Sequence, residues 1–273
     1  MDSKEVPVKA AGDSNGGEEG MTFWGHLEVL RWCLMRIAAV LVICMAGCFI
    51  AMPHIFDSFI LGPASSDFFL YRWLSSLHGD GTIFPDFSGR FSVDIININV
   101  TTQFTTHIST SFWLALIITF PYMLYEIWRF IRPALFAQEK RSIGAAFLSG
   151  SLMFYLGCAL GYGIVFPFTF RFLAEYSISS EIVNQISLNS YMNNFIMMIF
   201  AMGIVFEIPL LAWVLSKMGL IDKAFLRKYR KYAVVVLLIL AAVITPTGDP
   251  FTLMVVFLPL YLLYELAIKI IRK

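Results

Sequence analysis

Residues 143–168 read IGAAFLSGSLMFYLGCALGYGIVFPF, and no charged residue lies between Arg141 and Arg171. An apolar run of this length exceeds the roughly 20 residues that an α-helix needs to cross the hydrocarbon core of a bilayer. The composition of the whole chain agrees, because 58% of its 273 residues are hydrophobic and only 14% are charged. Soluble domains carry about 25% charged residues. The sequence therefore predicts an all-α membrane protein.

Five more apolar stretches accompany this one, and together they predict six transmembrane helices. The six stretches cover residues 32–52, 104–128, 143–168, 191–215, 232–244 and 251–264. At a rise of about 1.5 Å per residue, the last two would each span only roughly 20 Å of a core about 30 Å thick. Because the turn TPTGDP at 245–250 joins them, we interpret them as a short transmembrane hairpin in preference to a re-entrant loop.

The chain divides into a tail and one transmembrane domain. Residues 1–20 are polar and rich in glycine, and they contain no apolar segment of the kind found in signal peptides. This composition predicts a disordered tail. The six-helix domain is predicted to cover residues 21–273.

Lysine and arginine are distributed unevenly between the two sides of this six-helix topology. Seventeen of the 20 basic residues lie on the side that holds both termini and the loops 129–141 and 216–231. The other three are Arg72, Arg90 and Arg171. Because loops that stay in the cytoplasm carry the excess of positive charge in membrane proteins, both termini are predicted to be cytoplasmic.

Glu207 is the one charged residue in the apolar stretch 191–215. An ionisable group at membrane depth is costly, so we expect its side chain to face protein or water. Pro209 removes a backbone donor two residues later and predicts a kink. The residue suits either a polar contact with a partner inside the membrane or an internal hydrogen bond. A proton-coupled small-molecule transporter using Glu207 is the alternative function, although no inverted repeat is apparent.

Carboxylates on the basic side form the second group of candidate functional residues. An apolar stripe leads into the first predicted helix through Phe23, Leu27, Leu30 and Leu34. Glu28 lies off this stripe, three residues before Arg31, and Glu139 lies in the loop PALFAQEKR at 133–141. Such carboxylates can receive a guanidinium through paired hydrogen bonds, but each taken alone also fits a solvated charge. Glu126 and Glu265 lie near helix ends, and we interpret them as ordinary interface charges.

Signatures of enzymes and cofactor sites are missing from the sequence. It contains no HExxH, GxGxxG, P-loop or GxSxG motif, and its four histidines are dispersed. The four cysteines lie in or beside apolar runs without the spacing of a metal site or a disulfide framework. We therefore predict no catalytic activity, no metal or other cofactor, and no nucleic-acid partner.

Four segments make the chain similar to the TatC family of twin-arginine translocases. They are GHLEVLRWCLMR at 25–36, YEIWRFIRPALFAQEKR at 125–141, FYLGCALGYGIVFPFTFRFL at 154–173 and FEIP at 206–209. The second segment is the most specific, because an aromatic-rich PAL loop followed by Glu and a basic pair is a hallmark of this family. The resemblance implies a six-span protein of the bacterial cytoplasmic membrane, with short fifth and sixth helices and cytoplasmic termini.

The resemblance also implies a function in protein export. A protein of this family would bind the Arg-Arg motif of signal peptides on folded cargo at its cytoplasmic face. It would recruit the single-span partners TatA and TatB, assemble with other TatC copies in the lipid bilayer, and support transport driven by the proton-motive force. The matching positions of the signal-peptide site would be Glu28, Arg31, Phe130, Leu135 and Glu139.

A further set of positions matches the family in the external loops and later helices. Pro63 would correspond to a proline of the first external loop, and Tyr162 to an aromatic residue of the third helix. Glu207, Thr245 and Asp249 would correspond to polar positions tied to the later helices and to partner docking.

Two departures from the family pattern affect these assignments. The family usually reads HLxELR, whereas the acid here is Glu28, one residue earlier, which turns it about 100° around a helix. The family turn TPPD-x-F-S-Q carries one inserted residue here, and Leu253 stands in place of the glutamine. A pairing of that glutamine with Glu207 is therefore excluded in this chain.

Overall fold

The computed structural model describes residues 23–65, 67–77, 93–131, 142–179, 184–245 and 249–271. Within these ranges the chain is a bundle of helices, as predicted. Five helical segments are long and apolar enough to cross a membrane: Leu27–Ala64, Thr102–Phe130, Phe147–Glu175, Leu188–Lys217 and Pro250–Ile270. The predicted tail 1–20 lies outside the described residues.

The first long helix, α1 (Phe23–Ile55), has 33 residues and is therefore about 50 Å long. It ends in a π-helical turn (Phe56–Ile60) and a 3-10 turn (Gly62–Ala64), which lead to the short helix α2 (Phe69–Leu77). Helix α1 is longer than the roughly 30 Å hydrocarbon core of a bilayer.

Helix α3 (Thr102–Ile131) packs along α1. Pro53 inside α1 has no N–H, so the carbonyl of Phe49 lacks its helical donor. His107 of α3 supplies one, with its Nε2 2.9 Å from that carbonyl oxygen and its ring stacked 3.9 Å from the Phe49 ring. This contact fixes one end of the α1–α3 pair.

The middle of the bundle consists of two broken helices. Helix α4 (Ser142–Leu160) continues through a π-helical turn (Gly161–Val165) into α5 (Phe166–Glu175). Helices α6 (Leu188–Val205) and α7 (Ile208–Lys217) follow. A side chain at Gly157 would place its Cβ 2.6 Å from the carbonyl oxygen of Met202, so α4 and α6 approach closely because of glycine.

The predicted kink near Glu207 is confirmed. Helix α6 ends at Val205 and α7 begins at Ile208, so Phe206 and Glu207 lie in the break between them. Pro209 cannot donate to the carbonyl four residues before it, and this missing bond interrupts the helix.

The last apolar hairpin differs from the prediction in one helix. After α8 (Lys223–Lys228), helix α9 (Arg230–Ile244) has 15 residues, which at about 1.5 Å each is a short span. Helix α10 (Pro250–Ile270) has 21 residues, so the predicted short sixth helix is wrong. The helix continues beyond the apolar run because Glu265 and Lys269 are compatible with helical structure.

The two ends of the bundle differ in chemistry. We name the end at which α1 begins and α3 ends the basic end, because Arg31, Arg36 and Arg129 lie there. At the opposite end, here named the far end, strand β1 (Ile95–Ile96) pairs in parallel with β2 (Ile186–Ser187). Phe172 of α5 stacks 4.5 Å from Phe251 of α10 at the far end.

Three tyrosine hydroxyls hold the segment after α1 to the core at the far end. Tyr162 donates to the carbonyl of Phe59 at 2.8 Å, and Tyr191 donates to that of Ile60 at 2.6 Å. Tyr71 lies 3.1 Å from the carbonyl of Pro63 and 3.0 Å from that of Pro167. These bonds give the turns between α1 and α2 a fixed position.

Arg171 is a buried cation beside this segment. Only 1% of its side chain is exposed, and its Nε donates to Glu175 at 2.8 Å. Its guanidinium lies 5.0 Å from the centre of the Tyr71 ring, a cation–π contact. Burial raises the pKa of Tyr71 and Arg171 opposes that shift, so the hydroxyl remains a hydrogen-bond donor.

Candidate functional site

A cavity of about 350 Å³ opens at the basic end, between the start of α1 and the end of α3. Among the described residues, its lining comes from these two helices: Gly25, Glu28, Val29, Trp32, Cys33, Arg36, Glu126, Arg129 and Phe130. Carboxylates, guanidinium groups and aromatic rings therefore meet in one small volume.

The face of α1 that borders the cavity is not the apolar stripe predicted from the sequence. The cavity face follows Gly25, Val29, Trp32 and Arg36 at helical spacing. On the predicted stripe, Leu27 and Leu34 are 40% and 57% exposed. Apolar side chains at the surface of a membrane protein can contact lipid and need no protein partner.

Glu28 lines the cavity although it stands one residue earlier than the acid of the family pattern. Both Glu28 and Val29 border the same space, because the cavity is wide enough to meet two adjacent positions of the helix. The 100° offset therefore does not remove the carboxylate from this region. Arg31, by contrast, is exposed, and its guanidinium lies 5.7 Å from the ring centre of Trp32.

Glu126 is the residue that sequence reasoning missed. It is 2% exposed and accepts two hydrogen bonds from Arg36 of α1, at 3.1 Å from Nε and 2.8 Å from the second guanidinium nitrogen. Tyr122 donates to the same carboxylate at 3.1 Å, and Arg129 lies 4.0 Å away. The interpretation of Glu126 as an ordinary interface charge is therefore wrong.

The sequence does contain a signal that could have found this cluster. Tyr122, Glu126 and Phe130 recur every four residues and so form a row on one face of α3. An arginine interrupts the first apolar run at position 36. A lone cation and a lone anion in two apolar helices are each costly unless they are paired.

Phe130 also lines the cavity, one residue before α3 ends at Ile131. Leu135 and Glu139, the two remaining residues of the predicted signal site, lie outside the described residues. The structure thus brings Glu28 and Phe130 to one cavity, and the assignment of the other two to it stays a prediction.

Glu207 is buried in the break between α6 and α7 and is 6% exposed. Neither of its carboxylate oxygens has a hydrogen-bond partner among the described residues. A Cβ added to Gly150 of α4 would lie 3.2 Å from one of these oxygens, so glycine provides the space that the carboxylate occupies. The hydroxyl of Ser151 is likewise buried without a partner in the described part of the chain.

The other predicted residues near the far end have local structural contacts. Pro63 is buried and its carbonyl accepts the bond from Tyr71. Thr245 is 4% exposed and follows the last residue of α9. Asp249 caps α10, since its carboxylate accepts from the backbone N–H of Thr252 at 2.8 Å. Residues 246–248 between them lie outside the described ranges.

The cavity lining carries two carboxylates, Glu28 and Glu126, and two guanidinium groups, Arg36 and Arg129. Carboxylates can accept paired hydrogen bonds from a guanidinium, and the faces of Trp32 and Phe130 can contact cations. Over the described ranges, no group of three or more His, Cys, Asp or Glu residues could hold a metal ion.

Comparison with known proteins identifies the family. The family model for the Sec-independent protein translocase protein (TatC) matches residues 25–259. The chain belongs to the TatC family. A TatC protein of Blattabacterium sp. subsp. Periplaneta americana is 37% identical over 255 residues, which cover 92% of this chain and 94% of that protein. TatC of Helicobacter pylori is 33% identical over 90% of this chain and 86% of its own length.

Solved structures of the TatC family share the fold. A crystal structure of the twin-arginine translocase receptor TatC in the detergent DDM matches with a TM-score of 0.73 and 28% identity, over 91% of this chain and all of that one. A second receptor structure gives a TM-score of 0.67, over 90% of this chain and 97% of its own. The family resemblance found in the sequence is therefore confirmed.

TatC-family membership establishes the general role of the chain. It is a multi-pass membrane protein and a component of the twin-arginine protein translocase, and no catalytic activity is indicated.

Proposed function

We propose that this chain is the receptor subunit that reads twin-arginine signal peptides, and that the cavity between α1 and α3 receives the arginine pair. The observation that carries this proposal is the meeting of Glu28 with Trp32 and Phe130 in a cavity of about 350 Å³ at the basic end. A carboxylate accepts the planar fork of a guanidinium, and aromatic faces contact its flat side.

The lining holds two carboxylates and two guanidinium groups, and of the two carboxylates Glu28 is the one outside the ion pair of Glu126 with Arg36. Arg36 is bound to Glu126 by two hydrogen bonds, so these two charges largely neutralise each other. Glu28 is exposed at the cavity and remains accessible to a ligand. We propose that Leu135 and Glu139 of the following loop complete the site, and that Arg31 at the helix surface contributes to it.

The orientation belongs to the same proposal. We infer six spans, in which α9 crosses a locally thinned bilayer and both termini face the cytoplasm of a bacterium. The basic end would then face the cytoplasm, in agreement with the distribution of Lys and Arg. Signal peptides are presented on that side of the bacterial cytoplasmic membrane, so the cavity would be accessible to them.

The partners would dock within the membrane. Glu207 has two buried carboxylate oxygens that lack a partner among the described residues, and a polar group of a single-span helix would satisfy them once docking separates the helices around this side chain. We propose that TatA and TatB dock at this region and also contact Thr245 and Asp249. Pro63 and Tyr162 would stabilise the docking region from the far end. Other TatC copies and the lipid bilayer would contact the remaining surface of the helices. The proton-motive force would drive transport through this assembly.

The transporter alternative is not favoured by the position of Glu207. Glu207 is 6% exposed and its carboxylate lies beside apolar side chains, since a Cβ added at Gly150 would lie 3.2 Å from a Glu207 oxygen and within 3 Å of Leu210 and Leu124. A proton-coupled transporter would instead expose such a residue to a polar cavity at mid-membrane.

A binding measurement tests the proposal. A fluorescent signal peptide with its Arg-Arg pair should bind the detergent-solubilised protein, and the same peptide with Lys-Lys should bind at least tenfold more weakly, because an ammonium group cannot form the two parallel bonds of a guanidinium. Equal affinities for the two peptides would refute the proposed function.

A further inference from the structure

The ion pair between Arg36 and Glu126 joins α1 to α3 inside the cavity. The two residues are 90 positions apart in the chain, and α3 is the helix against which α1 packs most extensively among the described elements. At the far end, His107 joins the same two helices through the carbonyl of Phe49. Polar contacts therefore join α1 and α3 near both ends of the bundle.

We propose that Glu126 is a positioning residue of the signal site: through Arg36 it holds the turn of α1 that carries Glu28 against the end of α3 that carries Phe130. This inference rests on the proposed function of the cavity. The cavity keeps its shape only while the ion pair is intact.

The geometry assigns Glu126 to positioning and not to ligand binding. Its side chain is 3% exposed, whereas that of Arg36 is 39% exposed. Three hydrogen bonds shorter than 3.2 Å already reach its two oxygens, two from Arg36 and one from Tyr122. An incoming guanidinium would first have to displace Arg36, and the exposed Glu28 is accessible without such a step.

The register of the helices connects this ion pair to the ligand-facing residues. Phe130 follows Glu126 by four residues, so both lie on one face of α3 about 6 Å apart along its axis. Glu28 precedes Arg36 by eight residues, roughly 12 Å along α1. Separation of Arg36 from Glu126 would therefore move Glu28 relative to Phe130, because the two hydrogen bonds of this ion pair tie the Glu28 end of α1 to the Phe130 end of α3.

The first experiment measures signal-peptide affinity after Glu126→Gln and Arg36→Gln. Each change removes one charge of the pair, and each should weaken binding of the Arg-Arg peptide by about tenfold, as the loss of a charge-assisted bond predicts. Glu265→Gln is the matched control, because Glu265 also forms a 2.8 Å ion pair with an arginine of another helix, Arg230. The control should leave affinity unchanged.

The second experiment separates positioning from direct binding. In the exchange variant with Arg36→Glu and Glu126→Arg, the ion pair is restored with its polarity reversed. If Glu126 only positions α1, the exchange variant should recover affinity to within about threefold of the unmodified protein. If Glu126 itself bound the ligand, an arginine at position 126 would repel the signal guanidinium and binding would stay lost.

A readout without peptide tests the shape of the cavity itself. Cys33 is 3% exposed and lines the cavity. In protein with Cys44, Cys48 and Cys158 replaced by alanine, Glu126→Gln should make Cys33 react faster with a water-soluble maleimide, and the exchange variant should restore the slow rate. Should the exchange variant not accumulate, Arg36→Lys takes its place, since it retains the charge and should keep both the slow rate and most of the affinity.

The outcomes are distinct. If Glu126→Gln changes neither the peptide affinity nor the rate of Cys33 labelling, Glu126 does not position the site. A loss of affinity in only one of the variants Glu126→Gln and Arg36→Gln would also show that the ion pair does not act as a unit. Restored labelling without restored affinity in the exchange variant would show that Glu126 binds the ligand directly. If the unmodified protein fails to distinguish Arg-Arg from Lys-Lys peptides, the proposed function is wrong, but the labelling result for the ion pair stands.

Discussion

Replacing Glu28 by alanine should weaken the binding of a twin-arginine signal peptide. Glu28 is exposed at the cavity, so water competes for any bond that it makes to a guanidinium. We therefore expect the low end of the range for a charge-assisted hydrogen bond, about 1.5 kcal/mol. This free energy corresponds to roughly a tenfold increase in Kd.

The assay is fluorescence anisotropy of a labelled Arg-Arg peptide with solubilised protein, with the Lys-Lys peptide as reference. A second variant, Glu28→Val with Val29→Glu, moves the acid to the position that the family pattern favours. Because both positions border the cavity, this variant should bind within about threefold of the unmodified protein. If Glu28→Ala binds as tightly as the unmodified protein while the Lys-Lys peptide still binds weakly, Glu28 does not contact the arginine pair.

Three other features can be tested separately: the loop residue Glu139, the buried Tyr71 hydroxyl and the membrane topology. Glu139→Ala should weaken signal-peptide binding by about 10–150-fold without lowering protein level. Combined with Glu28→Ala, it should lower the binding free energy by less than the sum of the two single changes, because both acids act on one ligand feature. Full binding by Glu139→Gln would show that Glu139 is not part of the site. Tyr71→Phe removes a buried hydroxyl with two carbonyl contacts and should lower the free energy of unfolding by about 1–3 kcal/mol, which a lower Tm would show. The control Tyr155→Phe removes one hydrogen bond at an exposed site and should change Tm little. Reporter fusions should score as external near residues 75, 180 and 248 and as cytoplasmic near 135, 224 and 273, and an external score at 224 would refute the six-span topology.

Five of the predicted transmembrane segments and the kink were predictable because they depend on local sequence. An apolar run sets where a helix can lie in a bilayer, and Pro209 removes a specific hydrogen bond. The length of α10 was not predictable from its apolar run of 14 residues, since the helix continues to Ile270. The end of an apolar run marks where the lipid ends, and a helix need not end there.

The contacts between helices were the part that the sequence could not provide. Arg36 and Glu126 are 90 residues apart, and although each charge in an apolar helix indicates that it needs a partner, only the packing of α1 on α3 shows that the two are paired. The same holds for Arg171, whose burial depends on the position of Tyr71 in another helix. The cavity face of α1 was missed for a related reason: it is decided by where α3 lies, and apolar periodicity cannot distinguish a face turned to lipid from one turned to protein.

Site-specific photo-crosslinking in native membranes can show whether the cavity between α1 and α3 receives the signal peptide. A photoreactive amino acid at Val29 or Phe130, both in the cavity wall, should crosslink to the Arg-Arg signal peptide, and an excess of unlabelled Arg-Arg peptide should abolish the crosslink. Leu27 is the control position, because it is as exposed as Val29, at 40% against 39%, yet does not line the cavity. Crosslinks from Val29 and Phe130 but not from Leu27 are the predicted result, and crosslinks of equal strength from all three positions, or from Leu27 alone, would contradict the account.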